Sequence, residues 1–217
     1  MVGSSKQDDE RLLREAMRFP HVERGQRVGL FGGSFNPPHE GHLHVSETAL
    51  IRGALDQVWW MVTPGNPLKD HSELAPLAER IRHCRQVANH PKIRITAFEA
   101  RYQINYTEQA LTVVKRYHSG VRFIWLMGAD NLAGFHRWQN WRRIAGMMPI
   151  MVVDRPGSTL SHRSARAAIA LSRYRIDETD SELLADLTPP AWTFVHAPRN
   201  MLSSTAIRNA RKNGDPG

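Results

Sequence analysis

From residue 27 onward the chain alternates between two hydrophobic rhythms. Short apolar runs recur at Arg27–Phe31, Val58–Val62, Val121–Met127 and Met148–Val153, joined by an alternating Ile93–Phe98 and a brief Trp192–Val195. Runs of this length, closed by turn formers, read as strands, and the unbroken ones as strands covered on both faces. Between them apolar residues fall at helical spacing. Gly41–Arg52 carries Leu43 and Leu50, and Ala75–His90 carries Leu77, Ile81, Cys84 and Ala88. Tyr106–His118 carries Ala110, Val113, Val114 and Tyr117, with Asn105 or Thr107 as its N-cap, and Ser161–Arg173 is an alanine-rich helix. The alternation predicts an α/β fold: a parallel sheet of five to six strands with helices on both faces.

Residues 1–25 break this rhythm. They are polar, with a candidate helix over Asp8–Arg18 whose Leu12, Leu13 and Ala16 share one side, and Pro20 and Gly25 set it apart from the first strand. They read as a mobile or loosely docked extension, leaving residues 26–217 as a single domain. With 217 residues, 41% hydrophobic, one substantial core is the simplest organisation. The acidic Asp177–Asp186, followed by Pro189 and Pro190, reads as a surface excursion, and Arg80, Arg82 and Arg85 read mostly as a solvated helix face.

Composition narrows the function classes. The single cysteine, Cys84, excludes an intramolecular disulfide and fits a reducing compartment; its place among Leu77, Ile81 and Ala88 makes it a core residue. No apolar signal region opens the chain and no run approaches a membrane span, so the expectation is a soluble cytoplasmic protein. A net charge of +8 favours anionic ligands. The basic residues form no long tract and no aromatic-and-basic RNA-binding motif, which disfavours a nucleic-acid partner. A homo-oligomer is compatible with the sequence, which leaves the state open.

The chemistry concentrates at Gly29-Leu30-Phe31-Gly32-Gly33-Ser34-Phe35-Asn36-Pro37-Pro38-His39-Glu40-Gly41-His42. This is a strand, a glycine turn and a helix N-terminus, an arrangement whose backbone N–H groups and dipole suit a phosphate. Gly32 and Gly33 permit close approach and positive φ, and His39 and His42, three apart, face one side of the helix entrance. A zinc reading of His39, His42 and His44 lacks a cysteine or carboxylate set at a familiar spacing, so no metal site is assigned. Near the other end, Ser203, Ser204 and Thr205 precede a helical run with Arg208 one turn on: a second anion site beyond what capping needs. Asp130, just past the fourth strand, is placed either for a ribose hydroxyl or to cap the next helix. Trp138 and Trp141 are either both core or divided between core and a flat platform for a heteroaromatic ring.

The string G-G-S-F-N-P-P-H-E-G-H resembles the signature of the nucleotidyltransferases related to class I aminoacyl-tRNA synthetases. With P-G-N-P-L-K, N-Y-T-E-Q-A-L, G-A-D-N-L, F-H-R-W-Q-N-W, R-P-G and L-S-S-T-A-I-R, from about Gly29 to Arg208, the chain is similar to the bacterial nicotinate-mononucleotide adenylyltransferases. That resemblance implies a Rossmann-like fold and transfer of the adenylyl group of ATP to nicotinate mononucleotide. It implies ATP contacts from Gly32, Gly33, Ser34, Phe35, His39, His42, Gly128, Asp130, Ser203, Ser204, Thr205 and Arg208, with His39, His42 and Arg208 catalytic. Nicotinate mononucleotide would meet Gly33, Ser34, Lys69, Tyr106, Thr107 and Trp138, the last by stacking. Magnesium (Mg2+) would be held mainly by the ATP phosphates. Beside a phosphate, His39 or His42 is expected to charge and donate from both nitrogens. Asn36 departs from the aspartate common in the family. The runner-up is a sister enzyme using nicotinamide mononucleotide or pantetheine phosphate as acceptor; a non-catalytic nucleotide- or nucleic-acid-binding module ranks below it.

Overall fold

The computed structural model describes residues 6–65, 74–154 and 164–196. Six strands are described: β1 (Arg27–Gly33), β2 (Gln57–Val62), β3 (Ile93–Thr96), β4 (Arg122–Gly128), β5 (Ile150–Val153) and β6 (Trp192–Val195). All pair in parallel, in the order β3-β2-β1-β4-β5-β6. Because side chains alternate along a strand, each central strand feeds both faces. Val28, Leu30, Trp59, Met61, Trp125 and Met127 enter one core, while Phe31, Val58, Trp60, Val62, Ile124 and Leu126 enter the other. This double burial is why the strands read as continuous apolar runs. The chain winds one way from β1 through β3, then returns to β4 beside β1 and winds the other way. The order reverses between β1 and β4, and at such a point the carboxyl ends of the strands open a crevice.

Helices α1 (Lys6–Ala16), α2 (Glu40–Arg52), α3 (Leu77–Val87), α4 (Phe98–Arg101), α5 (Thr107–Tyr117), α6 (Ala129–Phe135) and α7 (Trp141–Met147) cover the sheet, with a further short helix at Arg166–Ala170. None of the described helices is long and apolar enough to cross a membrane.

Several expectations are corrected. The N-terminal segment is not loosely docked over its described part: Leu12 and Ala16 of α1 are buried, and the Ala16 carbonyl accepts the Ala97 N–H at 2.7 Å. Asp9 pairs with Arg82 and Glu15 with Arg85, so these α3 arginines, though still partly exposed, also hold α1. Helix α3 starts later than expected because Pro76 precedes it. Strand β3 stops at Thr96 because buried Phe98 begins α4. The expected Ser161–Arg173 helix is described only as Arg166–Ala170 and a 3-10 turn at Ser172–Tyr174; its start lies outside the described residues.

The acidic excursion is also corrected. Glu178–Asp186 is a 3-10 helix that buries Ser181, Leu184 and Ala185. Its Asp186 bridges Arg27 at 2.6 Å and Arg122 at 2.8 Å, the first residues of β1 and β4. These two arginines stand opposite each other in the sheet, and the shared carboxylate offsets their repulsion.

Candidate active site

The glycine loop leaves β1 at the β1/β4 crevice. Its glycines have a local reason that the sequence reading did not anticipate. Neither Gly32 nor Gly33 adopts positive φ; that strain falls on Phe35, at φ 47°. A Cβ on Gly32 would lie 2.6 Å from Cη2 of Trp125, and one on Gly33 would lie 3.3 Å from the Phe35 ring. Gly32 is needed because the β4 tryptophan lies against the loop.

Phe35, expected among the ATP contacts, is 1% exposed. Its ring stacks on Trp60 at 4.9 Å and packs against His42 at 4.8 Å between centroids. Its side chain therefore supports His42 from the core. Asn36 accepts the Ala75 N–H at 3.2 Å, which ties the loop to the approach of α3. An amide oxygen suffices for that bond.

His39 is the N-cap of α2, with extended backbone. Its Nδ1 accepts the Gly41 N–H at 3.0 Å, and His42 Nδ1 accepts the His39 N–H at 3.2 Å. The pair forms a capping box built from imidazoles. One expectation changes as a result. The first N–H groups of α2 are not bare, since Gly41 and His42 already have acceptors in His39. Each histidine Nδ1 is an acceptor in this arrangement. A neutral ring so engaged carries its proton on Nε2, and that edge is the donor to an anion. The two rings lie 4.0 Å apart between centroids, and His39 is 4% exposed. Behind them, Trp60 Nε1 donates to Ser46 Oγ at 2.7 Å, and that hydroxyl donates to the His42 carbonyl at 2.9 Å.

Across the crevice β4 ends at Gly128, the N-cap of α6, which makes no side-chain cap bond. Asp130 is exposed in the first turn of α6, so its cap reading is not supported. A carboxylate there favours the helix dipole. Helix α5 brings Tyr106 and Thr107 to the same edge. Tyr106 is its N-cap, in place of the expected Asn105 or Thr107, and offers no side-chain cap bond. Trp138 is half-buried, its ring 6.2 Å from that of Trp125 and 5.4 Å from that of Phe135. Trp125 thus lies between Gly32 and Trp138. Trp141 is buried against Phe135. Ser34 is partly exposed at the loop. Lys69, Ser203, Ser204, Thr205 and Arg208 lie outside the described residues.

Two buried charged groups at this edge escaped the sequence reading. Arg80 of α3 is 1% exposed and donates to loop carbonyls, while burial lowers its pKa. Its signal was visible: it lies three residues after Leu77 and four before Cys84, on the apolar face of α3. Glu99 of α4 is 8% exposed. Burial pushes its carboxyl up to about 7, against the hydrogen bond of the Thr63 side chain. Cys84, fully buried in the core as expected, has its thiol pushed up by burial and is unreactive on that account. A cleft of about 600 Å³ opens beside these groups, lined by Pro64, Gly65, Ala75, Arg80 and Asn105 among others. Among the described residues, no three His, Cys, Asp or Glu side chains gather to hold a metal ion.

The profile of the cytidylyltransferase-like family matches residues 30–210. A protein of Mesorhizobium japonicum named "Probable nicotinate-nucleotide adenylyltransferase" is 58% identical over 193 residues, covering 89% of this chain and 99% of its own. One of the same name from Agrobacterium fabrum is 59% identical over 185 residues, covering 85% and 99%. Among solved structures, Plasmodium falciparum nicotinic acid mononucleotide adenylyltransferase complexed with NaAD superposes with a TM-score of 0.64 at 16% identity, over 85% of this chain and 83% of that one. That likeness concerns the fold. With the family profile and relatives covered almost end to end, the chain belongs to the nicotinate-nucleotide adenylyltransferases, within the cytidylyltransferase-like family.

Proposed function

We propose that this chain transfers the adenylyl group of ATP to nicotinate mononucleotide, giving nicotinate adenine dinucleotide and pyrophosphate in NAD biosynthesis. The observation that carries the reading is the imidazole capping box at the β1/β4 crevice: two histidine rings 4.0 Å apart between centroids at a helix entrance, in a chain of net charge +8. A phosphate oxygen of the mononucleotide attacks the α-phosphorus. The bond from that phosphorus to the bridging oxygen breaks, and pyrophosphate leaves with the electron pair. No protein nucleophile is needed; the barrier is the meeting of two polyanions and the charge moving onto pyrophosphate.

In this reading His39 and His42 donate from Nε2 to the ATP phosphates. Gly32, Gly33 and Ser34 line the α-phosphate and the acceptor phosphate, with Gly128 and Asp130 at the nucleotide ribose. Tyr106 and Thr107 begin α5 without a side-chain cap, and their backbone N–H groups suit the nicotinate carboxylate. Trp138 supplies the ring face. Lys69, Ser203, Ser204, Thr205 and Arg208 keep the phosphate roles that the family resemblance implies. Magnesium would be held mainly by the ATP phosphates, whose charge it would offset.

Pyrophosphate release from ATP, followed with nicotinate mononucleotide added and withheld, tests the reading. Release should require the acceptor. Release without it, or none with it, would contradict adenylyl transfer.

A further inference from the structure

We propose that Arg80 is a positioning residue for this reaction: its buried guanidinium fixes three separate segments of the substrate edge in one arrangement. Nη1 donates to the Ser34 carbonyl at 2.7 Å and to the Thr63 carbonyl at 2.8 Å. Nε donates to the Ala75 carbonyl at 2.9 Å, and Nη2 to that of Pro64 at 3.3 Å. Ser34 follows the two glycines that end β1, Thr63 and Pro64 follow β2, and Ala75 leads into α3. One planar fork therefore sets the spacing between the phosphate loop, the next loop along the sheet edge and the approach to α3. The same guanidinium lines the cleft that holds Gly65 and Asn105.

The choice of residue argues for a role beyond packing. A cation that is 1% exposed is costly to bury. An apolar residue would avoid burying the charge but would leave four loop carbonyls without their donor. Every acceptor named above is a neutral carbonyl, and among the described residues no carboxylate is paired with Arg80. Among the described residues nothing neutralises its charge behind Ser34, next to where two polyanions must meet. Lysine could keep the charge but not the fork, since a single ammonium cannot span acceptors on three segments in one plane. Loop misplacement of about 1 Å can cost on the order of 100-fold in rate.

The inference rests on the proposed adenylyl transfer, so the parent enzyme is assayed alongside. Arg80→Lys and Arg80→Met are compared with it by kcat and KM for both substrates, well below each variant's melting temperature and with circular dichroism confirming the fold. Both should lose at least tenfold in kcat/KM, mainly in kcat, with Met the worse. Arg80→Lys with parental kcat and KM but a lower melting temperature would reduce Arg80 to a structural residue and overturn the proposal. Should neither variant fold, the arginine Nε–H resonance of the unmodified enzyme decides. It should shift on saturation with nicotinate mononucleotide and a non-hydrolysable ATP analogue, and an unchanged resonance overturns the proposal. If the parent itself fails to turn over, adenylyl transfer is what fails, and the resonance with the ATP analogue alone still tests Arg80.

Discussion

At position 42 one imidazole serves two ends. Nδ1 accepts the His39 N–H at 3.2 Å, and the ring is steadied by Phe35 at 4.8 Å. Removing a donor that acts on charge formed in the transition state costs roughly 100- to 1,000-fold in turnover. His42→Ala should lose turnover on that scale with a much smaller change in ATP affinity. Steady-state kinetics with ATP binding measured separately checks this, and near-normal turnover would remove His42 from the mechanism. The spacing of His39 and His42 was legible in the sequence. Their tautomer was not, because it depends on which backbone N–H groups reach each ring. Glu99 offers a test by pH. Its carboxyl is pushed up to about 7 in the folded chain, above the roughly 4.3 of an unfolded glutamate. Between those values the folded state holds the extra proton, so this group's cost to stability is absent below about pH 4, grows with pH, and is complete above about pH 7. Glu99→Gln should match the parent near pH 4 and exceed it at pH 8 by on the order of 3 kcal/mol at most. Denaturant melts across that range should show the gap opening as pH rises; a gap that stays constant would show that Glu99 does not titrate there.

At the scale of elements, the segment from α6 to α7 divides two tryptophans between duties. Trp141 is buried against Phe135, with Arg142 4.5 Å over its ring. Trp138 is half-buried and shares an edge contact with Trp125, the ring that lies against Gly32. Trp138→Ala should therefore raise KM for nicotinate mononucleotide several-fold, leave that for ATP nearly unchanged and keep the fold. Trp141→Ala should instead cost about 3–5 kcal/mol of stability. Measuring both constants and the melting temperature for each variant separates the two roles; equal loss for both substrates in Trp138→Ala would end the stacking assignment. The six strands and helices α2, α3 and α5 were legible because their hydrophobic periods are strong; α4 and α7, too short to show a period, were not. What sequence reading missed were contacts between elements: α1 against α3, the acidic 3-10 helix against the sheet, and Arg80 among the loops. Each involves polar residues that look solvated until their distant partner is known. Arg82 and Arg85, for example, face Asp9 and Glu15, roughly seventy positions earlier in the chain.

For the whole molecule, a parallel α/β sheet followed from the alternation of strands and helices, but the strand order did not. Local periodicity does not say that β4 returns beside β1, and that return creates the crevice. The glycine loop at one side of it and Gly128 with Asp130 at the other are brought together by this topology alone. The charge of +8 suits two anionic substrates, while choosing the acceptor falls to the groups around Tyr106, Thr107 and Trp138. The central claim is thus the identity of the acceptor, and the most direct measurement is kcat/KM with saturating ATP for nicotinate mononucleotide, nicotinamide mononucleotide and pantetheine phosphate side by side, with the dinucleotide product identified by mass. The account predicts the highest value for nicotinate mononucleotide, with nicotinate adenine dinucleotide formed in equal amount to pyrophosphate. A higher value for either of the other acceptors would contradict it.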